Sequence, residues 1–141
     1  MSHISNEPPQ PLPDVDTISF WQATSRGEIA LCRCNDCRLW QHPPLERCLS
    51  CGGITSFEPI SGNGEVFSFI KVNRASVPGF TELLPYAIAM IELDEQPGLR
   101  MVSRLIGIDA NEVAIGQRVK AEIVDHPGGS YRVPVFRLVP S

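Results

Sequence analysis

A chain of 141 residues, 43% hydrophobic and 20% charged, suffices for one ordinary domain or two very small ones, and is too apolar for intrinsic disorder. No apolar stretch approaches the roughly 20 residues that cross a bilayer; the nearest, 83–91, is interrupted by Pro85. The formal net charge of −4 divides as four basic and seven acidic groups over 1–60, then eight and nine over 61–141. Neither half is therefore a basic module of the kind that phosphate backbones require.

Residues 1–16 carry four prolines (Pro8, Pro9, Pro11 and Pro13) and few large apolar side chains. They cannot repay the entropy of ordering and read as a disordered tail. The tail also lacks the basic and apolar regions of a secretory signal, so a cytoplasmic location is expected. Residues 17–26 predict a short helix, with Ile18 and Trp21 on one face, Phe20 and Trp21 as core anchors, and Gly27 placed to end it in a left-handed conformation. Residues 28–33 alternate, Ile29 and Leu31 against Ala30 and Cys32, and predict a strand.

Five cysteines then fall within twenty residues. In a reducing compartment that density points to metal ligands or redox groups, not to a disulfide framework. Cys34-x-x-Cys37 and Cys48-x-x-Cys51-Gly52-Gly53, ten residues apart, form a pair of knuckles. Each tight turn sets two thiolates on one side of a loop, and two facing turns offer four sulfurs at the corners of a tetrahedron, which suits one structural Zn²⁺. Iron in the same centre and metal-free thiols are the alternatives. A closed set of four sulfurs leaves no position for water or substrate, so such a metal holds the fold. Cys32 is left over as a buried strand residue, and His42, between Gln41 and Pro43, is a loop histidine with the chemistry of a substitute ligand.

The segment Ser61-Gly62-Asn63-Gly64 is a turn signal, and beyond it come five extended segments: 65–72, 86–93, 100–108, 118–124 and 131–139. Asp109 and Gly116 bound a short helical or turn insertion between the third and fourth. Three strands, an insertion and two more strands in about 80 residues match a five-stranded Greek-key barrel, the OB-fold; an SH3-like barrel lacks a reason for the insertion. The expected architecture is mainly β, divided into a tail (1–16), an N-terminal helix and zinc ribbon (17–61) and an OB-fold (62–141).

Chemistry is sparse elsewhere. His3 lies in the tail and His126 in a His-Pro-Gly-Gly turn, neither held as a general base must be. Glu92, Asp94 and Glu95 read as a solvated acidic turn. No nucleophile elbow, phosphate loop or dinucleotide fingerprint is present, and the residues alone suggest a non-catalytic chain. Because OB-folds and zinc ribbons both serve single-stranded nucleic-acid binding, with Phe67 and Phe69 available to stack bases, that function is the alternative; the negative charge opposes it.

Phe20-Trp21, the two knuckles around Pro43-Pro44, Gly64-Glu-Val-Phe-Ser-Phe69, the run from Pro85 to Asp94, Leu105-Ile-Gly-Ile-Asp109, Ile115-Gly116 and Pro134-Val-Phe-Arg137 occur in a telling order. Through them the chain resembles, over about 17–141, the family of small proteins with a rubredoxin-like zinc ribbon and an OB-fold that accompany thiolase-fold enzymes acting on acyl-CoA substrates. The resemblance implies a hetero-oligomer with a thiolase or a sterol-carrier-type thiolase-like aldolase or acyltransferase, whose partner carries the catalytic groups. This chain would help assemble the complex and shape the entrance for the CoA thioester, steroid side-chain retro-aldol cleavage being one such reaction. The thirteen-residue loop 73–85 is long for a hairpin connection, so Val77, Phe80 and Leu83 are candidates for partner contact or for plugging the barrel end. Arg74, Arg100 and Arg104 offer guanidinium groups to CoA phosphates, against their ordinary place on a solvated strand face.

Overall fold

The computed structural model describes residues 17–73, 85–125 and 132–139. The helix α1 spans Ile18–Ser25 and closes as expected, with the N–H of Gly27 donating to Thr24 O at 3.0 Å and Gly27 at φ +82°. Its buried face differs from the expected Ile18–Trp21 stripe: Ile18 is 41% exposed, whereas Phe20 packs on the core and Ala23 and Thr24 are buried. Positions 20, 23 and 24 are one helical turn apart, so a single face carries all three. Trp21 lies edge-on to Phe20, with ring centroids 4.9 Å apart.

The first sheet joins β1 (Ala30–Cys34), β2 (Trp40–Gln41) and β3 (Thr55–Pro59) in the order β2-β1-β3. The alternation predicted for β1 does not appear as alternating exposure, because Ile29, Ala30, Leu31 and Cys32 are all buried. Helix α1 packs against β1, Ile29 and Leu31 join the main core, and the Cys32 thiol donates to Leu45 O at 3.4 Å in the knuckle loop. Neither β2 nor β3 was legible: a two-residue strand is too short for periodicity, and β3 is half-exposed along its length.

The second sheet is a closed barrel of β4 (Asn63–Val72), β5 (Tyr86–Leu93), β6 (Arg100–Ile106), β7 (Arg118–Asp125) and β8 (Arg132–Leu138), in the order β4-β5-β6-β8-β7. The third and fifth barrel strands run parallel and the first closes on the fourth, the five-stranded OB arrangement. A 3-10 turn, Ala110–Glu112, occupies the insertion, and Asp109 caps it by accepting the N–H of Asn111 at 2.9 Å. Along β5 the continuous apolar run resolves into strict alternation, with Ala87, Ala89, Ile91 and Leu93 buried.

One turn signal was misplaced. Asn63 and Gly64 already belong to β4, where Gly64 pairs with both Leu93 and Val119. A Cβ on Gly64 would stand 2.6 Å from Glu92 O, so glycine is required there by close strand approach and not by a turn.

The acidic group after β5 is used as a set of clamps. Glu92 accepts from Arg100 at 3.3 Å, Glu95 accepts the N–H of Ser61 at 2.8 Å, and Asp94 accepts from Arg118 at 2.9 and 2.5 Å. Hydrogen bonding to Arg118 holds the Asp94 carboxyl below its ordinary 3.8. The stability this contributes is present above pH 3.8 and is lost as pH falls through the lowered value; it is small, because both side chains are about half exposed. Arg118→Gln should bring the Asp94 pKa back toward 3.8 in a carboxyl-carbon NMR titration. An unmoved value would show that the pair does not form in solution.

Between the sheets stands Gln96. Its Oε1 accepts the N–H of Trp40 at 3.0 Å and its Nε2 donates to Trp40 O at 3.1 Å, so one side-chain amide satisfies both backbone groups of a β2 residue. Ile29, Leu31 and Trp40 share a continuous core with barrel residues such as Val66, Ile91 and Phe136.

Candidate metal centre and the cavity beside it

The first knuckle begins where β1 ends. Cys34 N donates to Leu39 O at 2.9 Å, closing a loop in which Arg38 takes φ +67°, held by its guanidinium on Glu58 at 2.7 Å and its carbonyl under Arg33 Nε at 2.8 Å. The second knuckle closes through Cys48 N to Gly53 O and Gly52 N to Cys48 O, both 2.9 Å, with Gly52 at φ +75°. A Cβ on Gly53 would lie 2.6 Å from the Asp36 carboxylate and 3.1 Å from Cys34 Sγ, so the two knuckles approach only because that residue is glycine.

These turns bring the Sγ atoms of Cys34, Cys37, Cys48 and Cys51 within 4.8 Å of one another, with Cys34–Cys51 at 3.5 Å and Cys37–Cys48 at 3.6 Å. Tetrahedral coordination with metal–sulfur bonds of about 2.3 Å separates sulfurs by about 3.8 Å, whereas a disulfide needs about 2.05 Å. The donor set and spacing thus fit a metal ion. Cys34 and Cys48 are buried, while Cys37 and Cys51 are exposed.

Backbone amides prepare the thiols for ionisation. The N–H groups of Cys37 and Asp36 each donate to Cys34 Sγ at 3.4 Å, and Ser50 N donates to Cys48 Sγ at 3.3 Å. The Cys37 N–H, then that of Asp36 and the Cys51 thiol, hold Cys34 down to about 6 from 9.0 against the opposing effect of burial. Backbone N–H groups of Cys51 and Ser50 likewise lower Cys48. Cys37 moves the other way: the Leu39 N–H lowers it, but burial and the three neighbouring thiols together push it up to about 12. Four adjacent thiolates repel one another, and a cation among them removes that conflict.

His42 and Cys32 stay outside this cluster. His42 instead lines a cavity of about 610 Å³ between α1, the ribbon and the barrel, where desolvation lowers its pKa. The cavity opens because β6 and β8 pair only through Leu105–Phe136 and Ile106–Arg137. Beyond those pairs the strands part, bridged by the Ser103 hydroxyl donating to Pro134 O at 2.8 Å. Of the cavity-lining aromatics, the Phe20-Trp21 pair, His42 and Tyr86 carried a signal in the sequence; Phe57 carried none, nor did the part played by Gln96, which depends on contacts far along the chain.

The arginines separate. Arg100 lies on β6 against Glu92, its guanidinium 3.7 Å from the Phe67 ring centroid, while Arg104 lines the cavity and makes no hydrogen bond or ion pair among the described residues. Arg74, Val77, Phe80 and Leu83 lie outside the described residues, as do the tail 1–16 and the turn containing His126. Among the described residues no helix is long and apolar enough to cross a membrane.

Comparison with known proteins gives two adjoining family matches. Residues 21–58 match the model described as ChsH2, rubredoxin-like zinc ribbon domain, and residues 57–124 match ChsH2, C-terminal OB-fold domain. The chain is 37% identical over 116 residues to the 3-oxo-4,17-pregnadiene-20-carboxyl-CoA hydratase alpha subunit of Mycobacterium tuberculosis, covering 82% of this chain and 36% of that one. It is 31% identical over 133 residues to a probable enoyl-CoA hydratase alpha subunit of Thermomonospora curvata, covering 92% and 39%. The chain therefore spans somewhat over a third of the length of these curated relatives. Among solved structures, a chain of the Ltp2-ChsH2(DUF35) aldolase superposes with a TM-score of 0.83 at 29% identity, over 92% of this chain and 98% of that one.

Proposed function

Because the chain belongs to the ChsH2 family of rubredoxin-like zinc ribbon and OB-fold domains, we propose that it is a zinc-binding accessory subunit of a thiolase-fold enzyme acting on an acyl-CoA. The observation that carries this reading is the superposition on the DUF35 aldolase chain, which extends over ribbon and barrel together. Zn²⁺ is the ion in this proposal, held by Cys34, Cys37, Cys48 and Cys51; four thiolates satisfy its tetrahedral preference and leave it a structural role. The N–H groups of Asp36, Cys37 and Ser50 orient the sulfurs, and Gln96 ties the metal-stapled sheet to the barrel. A rigid two-part body of this kind suits a subunit that organises its partner and shapes the entrance for a CoA thioester. Retro-aldol cleavage of a steroid side chain is the favoured reaction of the pair, the carbon–carbon bond being broken in the partner's site. The domain limits 17–61 and 62–141 are proposed as the units of this assembly, following a tail of 1–16.

Co-expression with the thiolase-fold proteins of the same genome, one at a time, tests the reading. A stable complex is expected, with turnover of a β-hydroxyacyl-CoA steroid by the pair and by neither chain alone. Failure to co-purify with any of them, or full turnover by one of them alone, would overturn it.

A further inference from the structure

The sulfurs of the ribbon pair across its two knuckles, a feature that a purely structural metal does not use. Cys34 Sγ lies 3.5 Å from Cys51 Sγ and Cys37 Sγ lies 3.6 Å from Cys48 Sγ, so each contact joins the first knuckle to the second. Each also joins a buried cysteine to an exposed one: Cys34 and Cys48 are buried, whereas Cys51 and Cys37 are exposed. Closing either contact to a disulfide needs an approach of about 1.5 Å. Gly53 leaves room for it, since a Cβ there would stand 3.1 Å from Cys34 Sγ. Cys32, buried with its thiol on Leu45 O, lies outside the cluster and takes no part.

We propose that these four cysteines form a hydroperoxide-responsive switch, in which oxidation releases the metal and joins the knuckles through Cys34–Cys51 and Cys37–Cys48 disulfides. Release rests on zinc as the occupant of the centre, whereas the pairing rests on the sulfur geometry alone. An exposed sulfur, as thiolate, attacks one oxygen of the hydroperoxide. An S–O bond forms, the O–O bond breaks, and the departing hydroxide takes a proton to become water. The buried sulfur across the knuckles then attacks that sulfenic sulfur. The S–S bond forms, the S–O bond breaks, and a second water departs after protonation.

Each sulfur pair thus gives two electrons to one peroxide, and two molecules of hydrogen peroxide consume the whole ligand set. Because the thiolate is the form that binds metal, the two closures release the ion. The links span 17 and 11 positions and run from one knuckle to the other, so they hold together the turns that the ion had held.

The test treats the full zinc-loaded chain with about two equivalents of hydrogen peroxide, blocks free thiols with N-ethylmaleimide in denaturant, and digests with trypsin without reductant. Bound zinc should fall at least about tenfold from about one ion per chain. Cleavage after Arg33, Arg38 and Arg47 separates the knuckles, so the fragment 34–38 should be found joined to the fragment that begins at Cys48, lighter by four hydrogens than the two reduced peptides. Further cleavage before Asp36 and after Leu49 should leave Cys34-Asn35 on the Cys51 fragment and Asp36-Cys37-Arg38 on Cys48-Leu49. Cys32 alone should carry the maleimide. The oxidised, metal-free chain should keep the amide protection of Cys34 N on Leu39 O and Cys48 N on Gly53 O, and a thiol reductant with added Zn²⁺ should restore the metal. Retained zinc, disulfides confined to each knuckle, sulfinic or sulfonic acids in place of disulfides, or links between two chains overturn the proposal. A reduced chain that takes up no zinc overturns the zinc reading and the release with it, and the same digest of the metal-free chain then decides the pairing.

Discussion

Stripping the metal from the ribbon at neutral pH is expected to abolish amide protection in the two knuckles, 34–37 and 48–53, while leaving the barrel folded. The knuckles have little else to hold them. Leu45, Leu49 and Ile54 are 43%, 76% and 56% exposed, so that loop has almost no apolar core of its own. Structural zinc sites supply on the order of 10 kcal/mol of apparent binding energy at neutral pH, far more than the remaining contacts there provide. Protection of Cys34 N on Leu39 O and Cys48 N on Gly53 O should fall by about a thousandfold or more, whereas Val66 N on Gln117 O should keep its own. Cys34→Ser should reproduce the loss.

Acid should do the same by protonating the ligands. A thiol held down to about 6 from 9.0 favours its thiolate, a contribution that is full above pH 9.0 and lost as pH falls through about 6. A bound cation stabilises the thiolates further, so metal release should set in below about pH 6 and be complete on further acidification. Hydrogen exchange with metal quantified alongside checks both; undiminished protection over 34–37 and 48–53 after complete metal removal would show that the knuckles are held by packing.

Phe136→Ala should cost the barrel about 3–5 kcal/mol. Phe136 is fully buried on β8, paired with Leu105 of β6 on one side and Ala121 of β7 on the other. It therefore stands where the barrel closes, at a seam only two residue pairs long. Truncation leaves a cavity that the parting strands have little backbone pairing to absorb. Phe136→Leu, which retains much of the apolar volume, should cost much less. Urea unfolding followed by barrel methyl signals measures both, and a loss below about 1 kcal/mol for Phe136→Ala would show that closure does not depend on this side chain.

The two-part order of a metal ribbon and an OB barrel was legible because each rests on local signals. Knuckle spacing sets two sulfurs on one turn whatever the rest of the chain does, and the alternation that puts Val119, Ala121 and Ile123 on one face of 118–124, like that of Arg100 to Ile106, reports one core-facing side. Where burial came from two sides, local pattern misled: β1 is covered on both faces because α1, the knuckle loop and the barrel core all reach it. Ser61-Gly62-Asn63-Gly64 misled in the opposite sense, since glycine serves a tight turn and a close strand approach equally well.

From the sequence alone come the four candidate metal ligands, the five barrel strands and their insertion, because ligand spacing and strand alternation are properties of neighbouring residues. Only the tertiary structure decided that Glu92, Asp94 and Glu95 are clamps, that Gln96 completes the backbone bonding of Trp40 from 56 residues away, and that Arg104 stands in an apolar cavity. Each of those roles belongs to a meeting of distant segments, and the chain acquires it only when the barrel closes and the ribbon docks against it.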